Sequence, residues 1–406
     1  MNMKKNYTGE GEPKKIWDAV YGRVKAKNLG ARSAVGETSD CGFIFHSYDR
    51  LLSDAIGLAI VLSDITDPSD PITVGAGAID TALVVLAASL VSRSVIISDR
   101  SDSLTFGGVI ITDKRTHFPR FISPEELRPL IAGALSGNPS ISPHSDGKEI
   151  EITFRSGGGS VSYSEGSALL AALAFKSGAS LTPRDRLMSL ILPTTEGGFL
   201  CGVLAPLLTG ASTAVCADAK STIRYMRSLS PSKLFCPGEV ANALLLKLLR
   251  IKKRYPRVSS KSPSLSFQPS LAWFNRLFHP RIAFLLGGRL KTVISTDQLS
   301  PISSRALFSF GIYSISTRSV KGLTPALFHY GEDPRGVWKL PLGAEAELCN
   351  VRKGGVGSIV ISAPYVRLGS VIRNTYLANE KPDGSSIVTP FLGFIFKNGN
   401  IFVSGK

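Results

Sequence analysis

Six consecutive residues, Arg155-Ser156-Gly157-Gly158-Gly159-Ser160, set a guanidinium and two hydroxyls around three glycines. Such a loop can turn its backbone N–H groups onto an anion, with Arg155 supplying charge. Glycines alone specify a phosphate site weakly. The same residues suit a β-turn between a strand over Glu149–Phe154 and the segment Val161–Tyr163. Glu196, followed by Gly197, stands in an otherwise apolar stretch. It reads either as a functional carboxylate with a raised pKa or as an acidic residue opening a helix beside Thr194 and Thr195. Lys247–Lys261 packs seven basic residues into fifteen. That suits contact with acidic lipid or phosphate, or a solvated helix end, since aromatics are not interleaved through it as on a base-stacking surface.

Other chemistry has little support. The histidines His46, His117, His144, His279 and His329 are scattered, with no HExxH or HxH, and no GxSxG nucleophile elbow occurs. Cys41, Cys201, Cys216, Cys236 and Cys349 lie far apart with no CxxC pair. They fit reduced thiols in a cytoplasmic protein better than a disulfide frame or a zinc site. No metal ligand set is expected.

The elements that must position these residues follow from the apolar pattern. The 406 residues are 43% hydrophobic and 19% charged, which excludes disorder, collagen and coiled coil. At ~150 residues per domain the length suggests two or three folding units. Apolar helix-like segments alternate with β-branched runs: Tyr48–Leu62 then Pro71–Val74, Thr81–Leu90 then Ser94–Ile97, Phe199–Leu208 then Ser212–Cys216. That alternation predicts βαβ units around mostly parallel sheets. Neither apolar stretch reads as a membrane span. Thr81–Val91 is too short for a bilayer core needing ~20 residues, and Gly197–Ala217 is broken by Pro206, Gly210 and a polar Thr-Gly-Ala-Ser-Thr segment. The basic, polar start has no apolar core behind it and predicts no signal peptide. From about Gly336 short strands with glycine or Asn-Gly turns predict antiparallel β-structure.

Five segments in order carry a resemblance. Leu187–Thr213 is similar to "LP-x-x-H…G" with an apolar helix and "PLL-x-G" after it, and Leu286–Pro301 to "GGRL…SGGA-x-LSP". Val320–Pro325 resembles "YGLTE" and Gly354–Ser370 resembles "GEI-x-V-x-GP-x-V-x-x-GY". The end, TPFLGFIFKNGNIFVSGK, resembles "TGDLG" with its later Asp-Gly turn and "GR". Together these resemble the adenylate-forming superfamily, nearest to long-chain acyl-CoA synthetases, over almost the whole chain and more weakly before Lys148. The resemblance implies an α/β fold: a layered body of two βαβ subdomains over 1–330 (roughly 1–200 and 201–330), a small β-barrel over 331–388, and terminal strands over 389–406. It places Lys406 at the family's hinge and implies that the C-terminal lid domain is lacking.

The resemblance also implies ATP or AMP and magnesium as cofactors, and an acyl chain or CoA-type molecule as partner. In the cofactor role it sets Arg155, Ser156, Gly157, Gly158, Gly159 and Ser160 at the phosphate loop, Thr296, Asp297 and Gln298 at the adenine segment, and Lys321, Gly322, Leu323 and Thr324 at "YGLTE". Glu196 and Gly197 fall in the substrate pocket, with Glu196 at the family's histidine. The scaffold glycines match better than the chemistry does. No Pro-Lys comes after the loop, Lys321 replaces a stacking tyrosine, and Pro325 stands at the magnesium-binding glutamate with no side-chain oxygen. Phe391 stands at the ribose-gripping aspartate.

The departures favour a degenerate synthetase kept as a binding or scaffold module, with no catalytic residue assigned. The alternatives are a divergent active acid–CoA ligase or stand-alone adenylating enzyme, and a peripheral membrane fatty-acid-binding protein using residues 247–261 on an anionic surface. Lysine and arginine exceed the acids by 47 − 31 = +16. This basic balance alone specifies no nucleic acid.

Overall fold

The computed structural model describes residues 15–39, 42–67, 69–98, 108–112, 121–137, 149–156, 159–216, 222–254, 280–331, 336–352, 355–366, 386–396 and 398–405. Apolar runs too short to form helices on their own build the centre of a thirteen-stranded sheet. Strands β9 (Arg186–Ser189), β10 (Ser212–Val215), β11 (Lys233–Cys236) and β12 (Thr292–Ser295) are buried on both faces, as near-continuous apolar strands require. With β1 (Ser33–Ser39) and β13 (Tyr313–Val320) they form a parallel run in the order β13-β12-β11-β9-β10-β1.

Antiparallel strands extend both ends of that run. β2 (Gly42–Ser47) pairs with β1, and β14 (Leu323–Tyr330) turns back on β13. The sheet then continues through β15 (Val337–Lys339), β19 (Ile401–Gly405), β18 (Ser386–Ile395), β17 (Gly357–Ser362) and β16 (Glu345–Cys349). The expected Asn-Gly turn is present: β18 and β19 are antiparallel, and Gly399 between them has φ 77°.

A second sheet of six strands has the order β6-β5-β3-β4-β7-β8, from β3 (Ile72–Gly75), β4 (Val95–Ser98), β5 (Ile110–Thr112), β6 (Phe121–Ile122), β7 (Glu151–Ser156) and β8 (Gly159–Ser164). Only β8 is antiparallel. The helix Ala78–Val91 crosses between β3 and β4 and is buried nearly all round, with Leu83, Val84, Val85 and Leu86 at most 4% exposed. A helix with no polar face must have neighbours on every side. Here they are the helix Tyr48–Ile65 and strands of both sheets. Each such side chain removed from water contributes about 1.5–3 kcal/mol.

The three expected helix–strand pairs are observed as helices Tyr48–Ile65 and Ala78–Val91 with strands β3 and β4, and a helix running from Glu196 to Thr209 ahead of β10. That last helix widens into a π-turn over Leu200–Leu204, which the periodicity does not announce. No helix among the described residues is long and apolar enough to cross a membrane.

Candidate functional site

Parallel strands end together, and the segments leaving their carboxyl ends share a crevice. β7 ends at Ser156, β9 leads into Leu190–Glu196, β12 into Thr296–Gln298, and β13 into Lys321. Ser156, Thr194, Thr195, Glu196, Lys321 and Thr324 line one pocket of about 450 Å³, with Phe154 and Val161 forming its apolar wall.

Glu196 is the hub of that pocket. Thr195 caps the helix that begins there: its hydroxyl accepts the Gly198 N–H at 3.1 Å and donates to the Leu192 carbonyl at 2.8 Å. The Glu196 carboxylate is thereby held facing β8 and the β13–β14 turn. Buried Tyr163 donates its hydroxyl to Oε1, and the Gly322 N–H donates to Oε2 at 3.5 Å. Thr324 adds a side-chain hydrogen bond. Gly322 sits in the two-residue turn at φ 80°, a conformation that favours glycine.

Burial pushes the Glu196 carboxyl above the usual carboxylate range; the donors Tyr163, Thr324 and Gly322, and then the Lys321 charge, oppose it. Burial, and after it the nearby Glu196 charge, pushes the Tyr163 hydroxyl well above its ordinary value. Cys201, at 2% exposure, is raised for the same two reasons and in the same order. It is a core thiol rather than a nucleophile.

The Arg155–Ser160 segment forms a tight hairpin. Arg155 pairs with Ser160 and Ser156 with Gly159 across β7 and β8. Gly157 and Gly158 lie outside the described residues. Of the described residues of this segment, Ser156 lines the pocket. Gly197 lines it beside Glu196, while Leu323 is buried beneath the turn.

The expected adenine segment stands apart from that pocket. Asp297 Oδ2 accepts the Gly238 N–H at 3.0 Å in the first turn of the helix Gly238–Arg254, and the Thr296 hydroxyl at 3.2 Å. Gln298 approaches Gly336, just before β15. Across from them the Arg318 guanidinium lies 5.0 Å from the Trp338 ring and 4.9 Å from the Phe391 ring. The sequence reading missed Tyr163 and Arg318, because each lies in a strand and reaches its partner only through register. Of the basic patch, Lys247 and Arg250 are exposed on the helix Gly238–Arg254; residues 255–261 and Lys406 lie outside the described residues.

No protein-family model matches the sequence, and no curated protein matches it. Solved structures match in shape. The inhibitor-bound N-terminal domain of FACL13 from Mycobacterium tuberculosis superposes with TM-score 0.72 at 14% identity, over 97% of this chain and 100% of that one. The chain has the fold of an adenylate-forming N-terminal domain. VinN with L-aspartate aligns over 96% of this chain and 98% of its own, at TM-score 0.69 and 14% identity. The anthranilate CoA ligase AuaEII with anthranoyl-AMP aligns at TM-score 0.71 and 13% identity, over 97% of this chain and 77% of that one. At such identities the likeness is one of fold, and the resemblance of the five sequence segments is borne out at that level.

Proposed function

We propose that this chain is a binding module on the adenylate-forming fold, holding a small carboxylic acid in the 450 Å³ pocket with adenylation impaired. The observation that carries this reading is the state of Glu196. Its two oxygens accept from Tyr163 and Gly322, so it serves as a structural latch at the pocket floor. The half-buried Lys321 ammonium and the Thr194 hydroxyl supply what an acid's carboxylate needs.

The residues present do not fit a magnesium nucleotide. Pro325 offers no oxygen to a hard cation, and Asp297 is committed to a helix terminus. L-aspartate, the ligand named for one similar structure, is small enough for a pocket of this size.

The test pairs thermal unfolding against a panel of small carboxylates, including aspartate, anthranilate and benzoate, with ATP–pyrophosphate exchange. Stabilisation by a panel acid that Lys321→Ala abolishes, without exchange, supports the reading. Magnesium-dependent exchange lost in Lys321→Ala would show an active ligase instead.

A further inference from the structure

Two positions that the sequence resemblance assigns to base and ribose contacts, Asp297 and Phe391, lie beside one side chain that the resemblance assigns nothing. Arg318 comes from β13, opposite Leu327 of β14. Its guanidinium sits between Trp338, which is fully buried, and Phe391, at 8% exposure. A planar cation between two ring faces is attracted to both. The Nη1 atom of Arg318 is buried and has no hydrogen-bond partner among the described residues. Burial pushes the Arg318 guanidinium below its ordinary value, and the nearby Asp297 charge opposes that shift; the Asp297 carboxylate is already fixed on the Gly238 N–H.

We infer that the nucleoside position of this fold is filled from within. Arg318, held between Trp338 and Phe391 beside Asp297, lies where a nucleotide's base and ribose would be received, and so excludes it. This deepens the proposal of an acid-binding module, explaining how an acid could be held without a nucleotide, but it stands on different residues from the acid pocket. The slot is lined by two aromatic rings, with the Asp297 carboxylate nearby. Emptied of the guanidinium, it matches another flat ring cation or a purine.

The test is thermal unfolding of the whole chain with AMP, at concentrations up to about 5 mM, where a ligand of millimolar affinity still shifts the transition measurably. Wild type is expected to show no shift. Arg318→Ala is expected to melt lower, and to recover by roughly 2 °C or more with either methylguanidinium or AMP. A saturable shift of wild type by AMP would overturn the inference. So would an Arg318→Ala protein that AMP leaves unmoved, since removing the side chain would then not open the slot. If Arg318→Ala does not fold, Arg318→Lys keeps the charge while losing the planar stack. It should shift with AMP where wild type does not, and equal behaviour of the two would again refute the inference. None of these readouts depends on the acid panel or on Lys321, so the two proposals fail separately.

Discussion

Burial raises the Glu196 pKa although Tyr163, Thr324 and Gly322 all donate to it, so the folded chain holds this proton to higher pH than the unfolded chain does. Between the ordinary value of 4.5 and the raised one, the native state binds the extra proton. Stability from this group is therefore fully present below the ordinary value and is lost as pH rises through the folded one. Glu165, buried under the helix Ile16–Lys27, is raised in the same direction by burial. Urea midpoints measured from acid to neutral pH should fall across this window in wild type. Glu196→Gln should flatten part of that fall, and an unchanged slope would refute the assignment. Tyr163→Phe removes a buried donor from a carboxylate and should cost about 1–3 kcal/mol, read from the same midpoints. At this scale the sequence showed Glu196 as an acid in an otherwise apolar stretch, and Lys321 and Thr324 through the resemblance to "YGLTE". It could not show Tyr163, which reaches Glu196 across 33 residues only because β8 runs beside the helix start.

The element that aims Glu196 leaves no room for a side chain at its third residue. A Cβ added to Gly198 would lie 1.8 Å from the Leu192 carbonyl oxygen, a backbone atom that cannot rotate away. Gly198→Ala should therefore push the helix start off the Leu190–Thr195 loop, at a cost of about 1–3 kcal/mol. It should also weaken any acid that stabilises wild type, because Thr194, Thr195 and Glu196 move together. A variant with full stability and unchanged ligand shift would show that the loop, and not the helix, sets the pocket. The apolar run made this helix legible, but not its π-turn. There Thr213 of β10 donates its hydroxyl to the Gly202 carbonyl at 2.6 Å, a tertiary hydrogen bond with no signature in hydrophobic spacing. The hairpin was legible from the same glycines, and β7 and β8 pair up to Ser156 and Gly159.

At the scale of the whole molecule, a chain of 406 residues suggests two or three independent units by length, whereas the packing connects them. One buried cluster runs from Ile16 through both sheets to Ile401, taking in the helix Ala78–Val91, Phe199 and Trp338. Hydrogen bonds tie the same regions together. Glu165 accepts the Ile16 N–H at 2.5 Å across 149 residues, and it also accepts the Ser89 hydroxyl. Alternating helix and strand patterns reveal layers, but not that two layers share a helix; that depends on which side chains of an all-apolar helix face which sheet. A shared core couples the stability of its parts. A further substitution should therefore shift the thermal midpoint alike in two single-tryptophan variants, one retaining Trp17 and the other Trp338, although these residues lie in the first helix and in β15. Glu165→Ala strands a backbone N–H and a serine hydroxyl in the interior and should cost about 1–3 kcal/mol. Because the core is shared, it should lower both midpoints together. If the Trp17 signal alone moves, the N-terminal helix opens without the rest of the chain, and the molecule behaves as separate units joined by contact.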